Sequence, residues 1–84
     1  MKTLALIPHY NHPTTISHVA QTMRSFGLNV LIVDDGSREE CKPVLQALVS
    51  DGIDVLYRPI NGVKGAAVKT GLEYAEEHGY THVL

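Results

Sequence analysis

Apolar residues along this chain fall into two alternating patterns, short unbroken runs and helically spaced sets. Leu4-Ala5-Leu6-Ile7 is a run closed by Pro8 and predicts a first strand. Pro13 and Thr14-Thr15 then mark a helix start, and Ile16, Val19, Ala20, Met23 and Phe26 share one helical face, with Gly27 just past its end. A second strand is expected from Asn29 to Val33. Ser37 and Glu40 have capping-box spacing for a second helix. Pro43 conflicts with that start, because proline belongs in a first turn. The helix is therefore expected to begin near Cys41-Lys42, burying Val44, Leu45, Leu48 and Val49 and ending at Gly52. Ile53 to Arg58 predicts a third strand, stopped by Pro59.

A third helix is expected from about Lys64 to His78, with Ala67, Gly71 and Ala75 inward and Leu72 as the bulky member. Small inward residues let a helix axis approach a sheet closely. After Gly79, Tyr80 to Leu84 opens a fourth strand. The order βαβαβαβ predicts an α/β fold, a Rossmann-like three-layer sandwich with a parallel sheet and right-handed crossovers. The last strand is half made on this reading. A parent protein is thus expected to continue past Leu84, unless the exposed sheet edge pairs with another copy, a route to self-association.

Composition changes the picture only by exclusion. Eighty-four residues suit one small domain, which buries roughly 60–65% of its unfolded surface. A hydrophobic fraction of 44% with 19% charged residues separates it from disordered chains. A net charge of −2 gives no footprint for nucleic acid. The single cysteine, Cys41, excludes an intramolecular disulfide and fits a reducing compartment. The apolar stretch before Pro8 is too short for a signal sequence or a membrane span, so a cytoplasmic location is expected.

The polar residues gather where the predicted strands end. Pro8-His9-Tyr10-Asn11 follows the first strand, Asp34-Asp35-Gly36-Ser37 the second, and Pro59-Ile60-Asn61-Gly62-Val63-Lys64-Gly65 the third. In a parallel sheet such loops converge on one edge. They offer an aromatic ring, two carboxylates, amides, a lysine and backbone N–H groups, an inventory suited to a nucleotide. Asp34 is explicable as a turn residue bonding its own loop. Two adjacent carboxylates at a buried edge are harder to explain so, because like charges repel. Asn61 to Gly65 opens the third helix, whose start favours anions, but it lacks the Gly-Lys-Ser/Thr of a Walker A loop. His9 and His12 make a poor metal site without a third ligand.

Taken together, the segments Leu6-Ile7-Pro8-His9-Tyr10-Asn11, Ile32-Val33-Asp34-Asp35-Gly36-Ser37 and Asn61-Gly62-Val63-Lys64-Gly65-Ala66-Ala67 with Gly71 resemble the inverting family 2 glycosyltransferases. The resemblance covers nearly the whole chain and is nearest to the dolichyl-phosphate mannose synthase-like branch. It implies that residues 1–84 are the N-terminal nucleotide-sugar-binding half of a GT-A domain. It also implies a UDP- or GDP-linked sugar as donor, an acceptor of unspecified class and an association of the parent enzyme with a membrane. By the same resemblance Pro8 and Tyr10 line the base, Asp35 bonds its imide N–H, and Asp34 supports the ribose or the loop. Lys64 and the Gly65 amide face the diphosphate, with Asn11, Gly36 and Asn61 completing the site. Glu39 stands where the family usually has aspartate. The family's Asp-x-Asp motif, which holds a divalent metal (Mg²⁺ or Mn²⁺), is expected beyond Leu84.

Two other classes compete. A receiver-like phosphorylation domain also uses an acid pair, but after its first strand and with an aspartate ending the third, where this chain has Tyr57-Arg58-Pro59. A non-catalytic nucleotide-binding or oligomerising α/β module is the other alternative. An Asp-x-Asp soon after Leu84 discriminates it from a transferase.

Overall fold

Pro8 does not close the first strand. In the computed structural model, which describes residues 1–59, 62 and 65–84, β1 runs Thr3–His9 and carries Pro8 opposite Val33 of β2 (Asn29–Asp35). The reason lies in strand parity. The Leu84 N–H donates to the Leu4 carbonyl at 2.9 Å and the Leu6 N–H to the Leu84 carbonyl at 3.2 Å, so Leu4 and Leu6 turn their peptide groups towards β4 (His82–Val83). Pro8 shares their parity. Its missing N–H therefore falls on that side, beyond the Thr3 and Leu4 positions where β4 pairs, and removes no bond to β2.

The remaining elements are α1 (Pro13–Ser25), α2 (Lys42–Ser50), β3 (Asp54–Arg58) and α3 (Ala66–Glu77), with a single 3₁₀ turn, Glu39–Cys41, before α2. The four strands are parallel in the order β3-β2-β1-β4. That order reverses once, between β1 and β4, which places the switch point of a doubly wound sheet there. The helix start near Cys41-Lys42 agrees with the structure, with Pro43 in the first turn. The capping box does not form, because the 3₁₀ turn is capped at Arg38 and α2 at Cys41, and the Ser37 hydroxyl accepts the Asn11 N–H.

The pleat divides the core into two. Ala5, Val30 and Ile32 face α1 and α2, meeting Ile16, Ala20, Leu45, Leu48 and Ile53. Leu4, Leu31 and Val33 face the other way, onto Ala67 and Ala75 of α3. A strand buried on both faces reads as a continuous apolar run, which is why Val30 to Val33 shows no alternation. Gly71 lets α3 lie close, since a Cβ there would overlap the Leu6 side chain.

Three expected core residues are not in the core. Phe26, the C-cap of α1, is 76% exposed. Val49 and Leu72 are 50% and 48% exposed. Each follows a buried residue by one position, and a helix turns about 100° per residue, enough to carry the side chain off a narrow inward stripe. No helix of the described residues is long and apolar enough to cross a membrane.

Candidate functional site

The strand ends are tied together in register. His9 of β1 lies opposite Asp34 of β2, and Asp35 lies opposite Arg58 of β3. Because successive strand side chains alternate in direction, Asp34 shares the parity of Ile32 and leaves the sheet on the α1–α2 side. Asp35 shares that of Val33 and leaves on the α3 side. The repulsion expected between adjacent carboxylates is thereby relieved, and each acid meets a nitrogen partner of its own.

On the first side, the buried imidazole of His9 bonds the buried Asp34 carboxylate, Nδ1 to Oδ1 at 2.9 Å. The His12 backbone N–H donates to His9 Nε2 at 3.0 Å. The Ser37 N–H donates to Asp34 Oδ2 at 3.3 Å, which closes the turn after β2. Asn11 joins the two loops: its N–H donates to Ser37 Oγ at 2.9 Å, and its Oδ1 accepts the Arg38 N–H at 2.8 Å. Asn11 holds a left-handed backbone with φ 55°. Asparagine tolerates that region better than most residues because its short amide bonds locally.

On the second side, Arg58 Nε donates to Asp35 Oδ1 at 2.8 Å and Nη1 donates to Thr70 Oγ1 at 3.0 Å. The Gly62 N–H also donates to Asp35, 3.2 Å from Oδ1. One guanidinium thus links β2, β3 and α3. An arginine suits that task, since its planar fork serves several acceptors at fixed angles.

A cleft of about 400 Å³ lies between the ends of β2 and β3 and α2. Asp34, Gly36, Ser37, Tyr57, Arg58 and Pro59 line it, with Lys42 and Gln46 of α2 on the far wall. Lys42 Nζ donates to Glu39 Oε1 at 2.9 Å, and that hydrogen bond, then the Glu39 charge, raises its pKa. A second, smaller hollow of about 150 Å³ borders Pro8, Tyr10 and α1. The Tyr10 ring is 46% exposed, and its hydroxyl takes no hydrogen bond among the described residues.

The structure therefore gathers Pro8, Tyr10, Asn11, Asp34, Asp35 and Gly36 on one edge. Gly65 stands at the start of α3 with φ 86°. Asn61 and Lys64 lie outside the described residues. Sequence reasoning passed over His9 and Arg58. Their signal was available: each is a polar residue ending an apolar strand, at a position that parallel register sets beside an acid. Among the described residues no group of three His, Cys, Asp or Glu side chains is placed to hold a metal. Asp34 and Asp35, on opposite faces, do not form a metal-binding pair, so the residues present do not fit that group.

A parallel sheet with its polar loops collected at the carboxyl ends of the strands and a switch point between β1 and β4 defines a Rossmann-like α/β domain. The family model described as Glycosyl transferase family 2 matches residues 5–80, and the chain belongs to that family. Neither a search of curated proteins nor one of solved structures gives a significant match.

Proposed function

We propose that this chain forms the donor-nucleotide side of a glycosyltransferase that takes its sugar from a UDP- or GDP-linked donor. The observation that carries the reading is that His9–Asp34 and Asp35–Arg58 join the ends of β1, β2 and β3, with the exposed Tyr10 ring directly after β1. Tyr10 supplies a face on which a base stacks, and Pro8 borders the same hollow. Asp35, held at the end of β2 by Arg58 and Gly62, is the carboxylate assigned to N–H or O–H donors of the base or ribose. Asp34 supports the loop from beneath. The start of α3 at Gly65 presents backbone N–H groups suited to the diphosphate.

On this reading the parent enzyme inverts the anomeric centre by direct displacement, and the fragment alone is inactive. The divalent metal belongs to the parent, with ligands beyond Leu84. A membrane association of the parent and self-association through the β4 edge are compatible extensions.

Calorimetric titration of the 84-residue chain with UDP and GDP, with and without Mn²⁺, tests the reading. Weak binding that ignores the metal and is lost in Tyr10→Ala is expected. Absence of binding by either nucleotide overturns it, and tight metal-dependent binding overturns the placement of the metal ligands.

A further inference from the structure

We propose that His9 is a positioning residue whose imidazole holds the β1–α1 loop, and with it the Tyr10 ring, through Nε2. The inference rests on the nucleotide-binding reading and assigns His9 no contact with the ligand. His9 is 5% exposed, whereas Pro8, Tyr10 and His12 around it are exposed. Its two nitrogens do different work. Nδ1 reaches the Asp34 carboxylate, an acceptor, while Nε2 receives the His12 backbone N–H, a donor. A neutral imidazole with its proton on Nδ1 is the form that satisfies both.

The consequence falls on Tyr10. His9 fixes the chain before it, and the His12 N–H is pinned back onto the same ring. Asn11, the next residue, is anchored by its N–H and its side-chain oxygen to the loop after β2. Tyr10 is thus an exposed ring on a backbone held on both sides. A ring held in place before the ligand arrives loses less freedom on binding, which raises affinity without a new contact. An apolar residue of similar size fills the same space at position 9 but leaves the His12 N–H without its acceptor and lets the loop move.

The two nitrogens are separable by substitution. His9→Gln carries an amide oxygen near the place of Nε2 and retains an acceptor for the His12 N–H. His9→Asn carries its amide near the place of Nδ1, keeping a donor to Asp34 and losing the loop contact. Both variants lose one hydrogen bond, so both are less stable than the wild-type chain. A purely structural role makes affinity follow stability. The positioning role separates the two variants. UDP and GDP affinities are expected to fall less in His9→Gln than in His9→Asn, where the loss is about tenfold, the scale of one hydrogen bond.

Amide hydrogen exchange at His12, read by NMR without ligand, is the companion measurement. Protection is expected in the wild type and His9→Gln and loss of it in His9→Asn. Equal affinity losses in the two variants overturn the proposal, as does wild-type protection of His12 in His9→Asn. If neither nucleotide binds the wild-type chain, the nucleotide reading fails, and His12 exchange alone decides whether His9 holds the loop.

Discussion

Asp34 and Asp35 are consecutive in the chain, yet their carboxylates lie on opposite faces of the sheet, one bonded to His9 and the other to Arg58. The pleat produces the separation and the parallel register supplies the partners.

Asp35→Asn leaves Arg58 partly buried without its counter-charge. A loss of about 1–3 kcal/mol is expected in urea denaturation. Adding Arg58→Met removes the stranded charge and recovers part of that stability. On the proposed nucleotide reading, affinity is expected not to recover, because the carboxylate is assigned to the ligand's donors. Restored binding in the double variant would count against the role given to Asp35.

Asn11→Ala deprives the Arg38 N–H of its acceptor and places alanine at φ 55°. The backbone alone costs about 1–2 kcal/mol and the hydrogen bond about 1 kcal/mol. Asn11→Gly relieves only the backbone, so its denaturation midpoint is expected between those of Asn11→Ala and the wild type. A glycine variant less stable than the alanine variant contradicts this account.

Tyr74 donates its hydroxyl to Asp54 Oδ2 at 2.8 Å. Its pKa is pushed up to about 12 by desolvation first, then by the hydrogen bond and the charge of Asp54. The folded state therefore favours the neutral phenol. Its contribution to stability is fully present below the ordinary value of 10.0 and is lost as pH rises through about 12. Denaturation followed across that interval should show this loss in the wild type and its absence in Tyr74→Phe. A phenolate absorbance titration reporting Tyr74 ionised at its ordinary value refutes it.

Leu48→Ala and Val49→Ala separate two neighbours that the helical pattern treats alike. Leu48 is 1% exposed and Val49 50%. Emptying the buried site is expected to cost about 2–4 kcal/mol, and trimming the exposed one less than about 0.5 kcal/mol. Comparable losses from thermal melts of both variants would place Val49 in the core after all.

The element order, the parallel sheet and the polar loops at the strand ends were legible because each rests on local pattern. Apolar runs at Leu4 to Ile7 and Val30 to Val33 specify strands buried on both faces, and the small residues Ala67, Gly71 and Ala75 specify a close helix. Pro8 misled because proline's cost depends on which neighbour its missing N–H faces, and that is a property of the sheet. Val49, Leu72 and Phe26 misled because periodicity identifies a face but not its width.

The chemistry divides along the same line. Residue order by itself determined that Tyr10, Asn11, Asp34, Asp35 and Gly36 stand at or just past the ends of strands of one sheet, and therefore that they share an edge. It also determined the family, whose model matches residues 5–80. Tertiary structure alone decided that His9 meets Asp34 and Arg58 meets Asp35, because those pairs depend on the register between strands 25 and 23 residues apart. A shift of one residue in that register would turn each side chain to the opposite face and leave both acids without the partners that now hold them.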